Sequence, residues 1–186
     1  PLNVAEARVQ LARDERDSEH LDAAARAIDR MVVLIEDILQ LAQEGERIDE
    51  LETIDLGTLC TDCWEAVDTA EATLTVGAER SIRTDRSRLR QLLENLYRNA
   101  VEHGTESVHV TVGPLEDGFY VADAVPGIPP AERDAIFESG YSTRDDGTGF
   151  GLAIVAEIAE AHGWEVGVTE SDSGGTRFEF TDVEFV

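Results

Sequence analysis

Hydrophobic positions in the first part of the chain follow the period of an α-helix. Between residues 21 and 42 they recur in alternating steps of four and three, at Leu21, Ala25, Ile28, Val32, Ile35, Leu39 and Ala42. A parallel stripe makes the apolar face wider than the seam of a two-stranded coiled coil, and it consists of Met31, Leu34, Ile38 and Leu41. The upstream segment PLNVAEARVQLAR is also typical of a helix, and the polar DERDSEH that follows it suits a turn. We therefore predict a helical hairpin over residues 1–45 and a charged linker over residues 46–52.

So wide an apolar face needs a partner. Pairing of two hairpins into a four-helix bundle would bury it, which favours a homodimer through the N-terminal helices. The alternative is that the hairpin packs on the domain that follows it.

After the linker the pattern changes to short strands between amphipathic helices. It predicts strands over residues 53–56, 73–76, 81–84, 108–112, 119–122, 165–169 and 176–181, and helices over 57–69, 85–103 and 150–161. Because strands outnumber helices without strict alternation, we expect a mixed sheet with helices on one face. The predicted fold class is an α/β two-layer sandwich over residues 53–186, preceded by the α-helical hairpin.

The charge of the chain is strongly acidic. It has 40 acidic and 15 basic residues, for a net charge of −25, and every basic residue is an arginine. Nucleic acids and anionic membranes attract clustered basic side chains, so we expect neither as a partner. The acids are scattered through periodic segments and do not form a disordered tail. Such lysine-free acidic surfaces resemble those of extreme halophiles, where they keep proteins soluble in concentrated salt.

Cys60 and Cys63 form one C-x-x-C pair inside a predicted helix. A zinc site needs further ligands nearby and a redox motif needs a βαβ setting, so two buried structural thiols are the favoured interpretation. Free thiols suit a reducing cytosol. No run approaches the ~20 apolar residues of a membrane span, and no signal peptide is visible, so we expect a cytoplasmic location.

The stretch GTGFGLAIV has glycines at Gly147, Gly149 and Gly151 and then continues as an apolar helix. Glycine lets a ligand approach the backbone closely, and the free N–H groups at a helix start attract an anion such as phosphate. The dinucleotide fingerprint does not fit, because its third glycine lies three positions after the second. Taken alone, the stretch is as typical of a flexible loop with a helix cap.

Asn95 and Asn99 lie four residues apart in a predicted helix and therefore share one face. Their carboxamide oxygens suit Mg²⁺, either directly or through water. A pair of surface asparagines has the same spacing, so the pair alone does not decide between the two interpretations.

Five segments together carry a specific resemblance. NLYRNAVEHG, DAVPGIPP, IFESGYST, GTGFGLAIV and SGGTRFEF occur in the order, and at about the intervals, of the N, G1, F, G2 and G3 boxes of sensor histidine kinases. From about residue 51 to 180 the chain resembles the ATP-binding domain of that family, within the superfamily that also includes gyrase, the heat-shock chaperone and mismatch-repair ATPases. The resemblance implies a Bergerat-type ATP-binding fold, with ATP and Mg²⁺ as cofactors.

The resemblance also implies roles for the matching positions. Asn99 would be the Mg²⁺ ligand, Asn95 its neighbour beside the phosphates, and Asp123 the acceptor for the amino group of adenine. Residues 137–143 would form the hinge of a lid over ATP. The complete set of implied nucleotide-binding residues is Asn95, Arg98, Asn99, His103, Asp123, Gly127, Ile128, Tyr141, Ser142, Thr143, Arg144, Gly147, Thr148, Gly149, Phe150, Gly151, Leu152 and Thr176.

The type of reaction depends on two further positions. In the family the phosphoacceptor histidine lies five residues before the proline that PLNV matches, which places it before Pro1. We therefore expect no catalytic residue within this chain, which should bind ATP but not autophosphorylate. ATP-hydrolysing relatives have a glutamate four residues before the Mg²⁺ asparagine. Here that residue is Asn95, which cannot accept a proton, so transfer is favoured over hydrolysis.

Val125 departs from the family pattern, because it stands where the G1 box usually has its first glycine. If that position needs a positive φ, valine costs about 1 to 3 kcal/mol. Either the loop then takes another path or nucleotide binding is weak. Two functions stay open: a kinase that phosphorylates a histidine and thereby the receiver domain of a response regulator, or a degenerate dimer module with weak or no ATP binding.

Overall fold

The computed structural model describes residues 51–186, except 68, 70, 79, 105–107 and 143–147, and ten scattered positions among the first 50. Those ten positions are all helical, in agreement with the predicted helices, and they are Ala5, Val9, Ala12, Leu21, Ala24, Ala25, Ile28, Met31, Val32 and Ile35. The predicted turn and most of the predicted linker lie outside the described residues.

Two sheets and three helices form the described domain. Strands β1 (Glu52–Asp55) and β3 (Ser81–Thr84) pair antiparallel in a small sheet. The main sheet has five strands, which are β2 (Thr73–Val76), β4 (His109–Pro114), β5 (Phe119–Asp123), β6 (Glu165–Glu170) and β7 (Thr176–Thr181). Their order is β2-β4-β5-β7-β6, with β2 and β4 parallel and the other pairs antiparallel. The helices are α1 (Leu56–Ala66), α2 (Arg86–His103) and α3 (Gly151–His162), and a single 3₁₀ turn covers Ala135–Phe137.

The predicted mixed-sheet α/β sandwich is confirmed, and the element boundaries differ where side chains cap the helices. Leu56 begins α1 and does not end β1, because Asp55 accepts a hydrogen bond from the Thr58 N–H at 2.7 Å and acts as the N-cap. Helix α1 ends at Ala66, before the predicted Thr69, because Val67 has an extended backbone (φ −91°, ψ 139°). The separation of β1 and β3 into a sheet of their own was not predicted.

The core lies between the main sheet and the helices. Strand β7 alternates buried and half-buried residues, which gives one sheet face to the core and leaves the other partly open to solvent. Phe119 stacks on Phe180 at 4.9 Å between ring centroids, and Trp164 meets Phe119 edge-on at 5.9 Å. From the helices, the fully buried apolar side chains include Leu89, Leu92, Leu93, Leu96, Ile154 and Ile158. This layer positions α2 and α3 side by side on the sheet.

Cys60 and Cys63 are free and buried in α1, as the sequence predicted. Burial raises the pKa of Cys60 to about 12 and that of Cys63 to about 11, so both thiols are protonated at neutral pH. Within the described part of the chain, no group of three or more His, Cys, Asp and Glu could hold a metal ion. None of the helices formed by the described residues is long and apolar enough to cross a membrane.

Candidate functional site

Helix α2 brings the two asparagines into place. Asp85 caps the helix by accepting hydrogen bonds from the backbone N–H groups of its first turn, at 2.9 and 3.2 Å. Asn95 is buried, with 8% of its surface exposed, and Asn99 one turn later is half-buried. The Asn95 Oδ1 atom accepts a hydrogen bond from Arg98 at 3.5 Å. A Cβ on Gly151 would lie 3.6 Å from the same oxygen, so the start of α3 lies against Asn95.

The start of α3 offers backbone donors at this place. Phe150 is the N-cap residue, and no described side chain caps the helix through it. The first turn contains no acidic residue. By α-helix geometry the N–H groups of Gly151, Leu152 and Ala153 have no carbonyl partner within the helix. These donors and the partial positive charge of the helix end favour an anion beside Asn95.

Gly149 and Gly140 join the two ends of the loop that precedes α3. The Gly140 N–H donates to the Gly149 carbonyl at 2.9 Å, and both residues have a positive φ, at +87° and +72° for Gly140 and Gly149. A Cβ on Gly149 would lie 2.6 Å from the Gly140 carbonyl carbon. Residue 149 therefore has to be glycine so that its backbone can lie against the backbone of Gly140. Of the predicted lid residues, Thr143, Arg144 and Gly147 lie outside the described residues.

Tyr141 ties the described part of this loop to the segment after the G1 box. Its hydroxyl donates to Glu132 Oε2 at 2.7 Å, and its ring packs against the edge of the core. Ile128, Phe150 and Leu152 also pack there. Among the other predicted site residues, Arg98, His103 and Ser142 are exposed, and Thr148 is half-buried.

Asp123 is the last residue of β5, and one of its two carboxylate oxygens already accepts hydrogen bonds from the backbone. Its Oδ1 atom accepts hydrogen bonds from the backbone N–H groups of Val125 at 3.0 Å and Thr176 at 3.1 Å. Burial raises the pKa of the Asp123 carboxyl, while those two N–H groups and the nearby His103 lower it. Because Oδ1 is engaged, Oδ2 is the atom that remains for a ligand.

Val125 does not carry the strain considered from the sequence. Outside glycine, Asp182 is the one described residue with a positive φ, so Val125 has an ordinary backbone conformation. Its side chain is 7% exposed and belongs to the core cluster. Val125 therefore fits this loop without the backbone strain that a positive φ would impose.

Sequence reasoning missed the residues that hold Asp123 from the other side. The Ser171 hydroxyl donates to the Asp123 carbonyl at 2.8 Å and accepts from the Gly175 N–H at 2.9 Å. A Cβ on Gly175 would lie 2.3 Å from the same Asp123 carbonyl oxygen, and one on Gly127 would lie 3.0 Å from the Gly175 carbonyl oxygen. In the segment SGGTRFEF, two consecutive glycines before a strand indicated that another group approaches the backbone closely. The sequence did not indicate that this group is the Asp123 carbonyl.

Helix α2 connects these parts into one polar site, because Asn95 lies against the start of α3 and His103, at the end of the same helix, lies near Asp123 at the end of β5. The site combines two carboxamides, the second carboxylate oxygen of Asp123 and backbone N–H groups that have no carbonyl partner within α3. A ligand that has both an anionic part and a base with an amino group would match these groups.

Comparisons with known proteins identify the family of this chain. Residues 84–184 match the family of histidine kinase-, DNA gyrase B-, and HSP90-like ATPases. Sensor histidine kinase ZraS of Klebsiella oxytoca is 34% identical over 169 residues, which cover 84% of this chain and 36% of that protein. Sensor histidine kinase GtrS of Pseudomonas aeruginosa is 29% identical over 181 residues, covering 95% of this chain and 38% of GtrS. The chain thus spans little more than a third of these curated relatives.

Solved structures share the fold. The crystal structure of full-length ShkA in complex with AMPPNP superposes on the whole of this chain and on 44% of ShkA, with a TM-score of 0.74 and 30% identity. The mycobacterial sensor histidine kinase MprB covers 73% of this chain, with a TM-score of 0.62 and 25% identity.

Proposed function

Because the chain belongs to the family of histidine kinase-, DNA gyrase B-, and HSP90-like ATPases, we propose that it is the ATP-binding catalytic part of a sensor histidine kinase. Its task would be to present the γ-phosphate of ATP to a protein histidine, from which the phosphoryl group passes to an aspartate of a response regulator. The observation that carries the proposal is the position of α2, whose Asn95 lies against the start of α3 and whose His103 lies near Asp123.

Each part of the site has a task in this reaction. Asp123 Oδ2 accepts a hydrogen bond from the adenine amino group, while Oδ1 keeps its two backbone donors. The N–H groups at the start of α3, which have no carbonyl partner within the helix, bind phosphate oxygens. Asn99 would hold Mg²⁺ through its carboxamide oxygen, and a bound Mg²⁺ would offset phosphate charge. Arg98 lies beside the asparagines and adds positive charge where the chain has no lysine.

Asn95 favours transfer over hydrolysis. A carboxamide cannot take a proton from water at neutral pH, whereas a glutamate at that position could. Since phosphoryl transfer depends mainly on alignment and charge neutralisation, the site needs no general base of its own to hand the phosphoryl group to a histidine.

The alternative, a degenerate module with weak or no ATP binding, is less favoured in this proposal. It depended on a strained Val125, and Val125 has an ordinary backbone and a buried side chain. We therefore favour a working nucleotide site.

The N-terminal helices suit a homodimer. Ala25 and Ile28 are buried, whereas Met31 and Ile35 are 44% and 48% exposed on the described part of the helix. We propose residues 1–45 as the dimerisation region, 46–52 as linker and 53–186 as the kinase domain. The proposed partners are a second copy of this chain and the receiver domain of a response regulator, in a cytoplasm rich in salt.

Nucleotide titration tests the proposal. A fluorescent ATP analogue is titrated into the protein in multimolar KCl, with and without Mg²⁺. We expect saturable binding that weakens without Mg²⁺. In Mg²⁺ the Asn99→Ala variant should bind at least ~10-fold more weakly, the effect of about 1.4 kcal/mol, and without Mg²⁺ the difference should shrink. The Arg90→Ala variant is the control, because Arg90 lies on the same helix and pairs with Glu94 at 3.6 Å. Binding that ignores both Mg²⁺ and Asn99 would contradict the proposal.

Phosphoryl transfer is tested separately. Radiolabel from γ-labelled ATP should appear, in a kinase that includes the phosphoacceptor motif, as an acid-labile and base-stable phosphohistidine. ATP binding without any such product would refute the kinase role while leaving the nucleotide site intact.

A further inference from the structure

His162, the last residue of α3, connects α3 to the beginning of α2. Its Nδ1 atom lies 2.8 Å from the Ile158 carbonyl oxygen, which can only accept, so Nδ1 carries the proton. Its Nε2 atom lies 3.2 Å from the Asp85 N–H, which can only donate, and 2.9 Å from the Thr84 hydroxyl. The hydrogen bonds of the two ring nitrogens therefore require the neutral imidazole that carries its proton on Nδ1 and accepts through Nε2.

The surroundings hold the ring in this form. Trp164 stacks on it with 4.4 Å between ring centroids and 27° between planes. The charged groups that face His162 are Asp85 and Arg88, both from the start of α2. Burial lowers the pKa of the imidazole below its ordinary value, although the Ile158 carbonyl and Asp85 raise it. Thr84 is fully buried, and the imidazole gives its hydroxyl a partner.

The position of this contact along the helices matters for the site. Asp85 precedes Asn95 by ten residues on α2, about 15 Å of helix, and His162 follows Gly151 by eleven residues on α3, about 16.5 Å. The two helices therefore run antiparallel, with Gly151 against Asn95 at one end and His162 against Asp85 at the other. Apolar packing between helices is not directional, whereas a hydrogen bond is. The His162 contact therefore limits how far α3 can slide along α2.

We propose that His162 is a positioning residue for nucleotide binding: it sets the register of α3 on α2, and thereby the distance between the Gly151 end of α3 and Asn95. This inference rests on the proposed function, since it assigns a purpose to that register. Protonation of Nε2 would turn it from acceptor to donor and break the contact with the Asp85 N–H.

Two substitutions separate the contact from the ring. His162→Phe keeps the stacking on Trp164 and removes the contacts of both ring nitrogens. Of these, the hydrogen bond accepted by the single lone pair of Nε2 is the one that joins α3 to the start of α2. His162→Gln can place an amide oxygen where Nε2 now accepts. We expect the Kd for the ATP analogue in Mg²⁺ to rise ~5-fold in His162→Phe, the effect of one lost hydrogen bond, and to stay within ~2-fold in His162→Gln. Val183→Ala, at a buried residue outside both helices, is the control for a general loss of stability and should leave Kd unchanged.

A pH profile adds a readout that a merely structural role would not move. The ratio of Kd for His162→Gln to Kd for the wild type cancels the titration of ATP and of Asp123, which are common to both proteins. Because burial lowers the pKa of His162 below the ordinary 6.5, the wild type should keep its contact at pH 6.5 and lose it only at lower pH. The glutamine variant should keep its contact throughout, so the ratio should fall at that lower pH. A ratio that stays flat while the ¹⁵N shifts of the His162 ring show that the ring becomes protonated would overturn the inference.

The nucleotide-free protein provides the remaining test. In ¹⁵N spectra, His162→Phe should shift the Asn95 carboxamide and the Gly151 amide, and His162→Gln should leave both near their wild-type positions. If the wild type binds no nucleotide, the proposed function fails, and these spectra still decide whether His162 sets the register. If the wild type binds and His162→Phe changes neither Kd nor spectra, only the inference about His162 fails.

Discussion

Replacement of Asp123 by asparagine tests how the site recognises its base. The carboxylate uses Oδ1 for the N–H groups of Val125 and Thr176, at 3.0 and 3.1 Å. Asparagine can keep both bonds with its own Oδ1. Its NH₂ group then replaces Oδ2 and puts a donor where the adenine amino group also donates. The Asp123→Asn variant should therefore keep the fold and bind ATP more weakly.

The magnitudes follow from the same geometry. A hydrogen bond to a charged acceptor contributes about 1.5 to 3 kcal/mol, so its loss should raise Kd for ATP about 13-fold to 160-fold. Although the variant should bind ATP more weakly, its free energy of unfolding should not fall. Because burial raises the pKa of Asp123, the folded protein holds more protons than the unfolded chain above the ordinary pKa of 3.8. Stability therefore falls as pH rises through that window, and a neutral asparagine avoids the loss.

The assay compares fluorescent ATP and GTP analogues on both proteins, together with denaturant unfolding at pH 7. In Asp123→Asn we expect weaker ATP binding, a smaller effect on GTP because guanine offers an acceptor to the new NH₂ group, and a free energy of unfolding at least equal to the wild type. An ATP affinity within ~3-fold of the wild type would refute the role of Asp123 at the base. Loss of ATP together with marked destabilisation would refute the account of the two oxygens.

Three further predictions concern the loops around the site and the core. Gly175→Ala should lower the free energy of unfolding by about 1 to 3 kcal/mol and weaken ATP binding, because its Cβ would lie 2.3 Å from the Asp123 carbonyl oxygen. Denaturant unfolding measures this, with Gly167→Ala as the control: a Cβ there meets nothing within 4 Å, so the free energy of unfolding should hardly change. Val125→Gly should destabilise by about 2 to 4 kcal/mol without improving ATP affinity, because a buried side chain is removed and no strain is relieved; a gain in affinity would contradict the ordinary φ. The two buried cysteines should react with a thiol reagent only as fast as the protein unfolds, because burial raises both pKa values, and rapid labelling of the native protein would contradict their burial.

The sequence by itself determined the secondary elements of the domain. Hydrophobic period and capping residues act over a few positions, so they can be read directly along the chain. Asp85 caps α2, and Gly163, with a φ of +74°, ends α3. The shared face of Asn95 and Asn99 follows from their spacing on a helix, which is equally local.

The tertiary structure alone decided how the parts of the site meet. Whether Val125 needs a positive φ depends on the path of its loop past Gly175, and which oxygen of Asp123 is free depends on Thr176, 53 residues later. The contact of His162 with Asp85 spans 77 residues. All of these are contacts between backbone or side-chain atoms of segments that are distant in sequence. They leave no periodic trace, because the constraint belongs to the packed pair of segments and to neither segment alone.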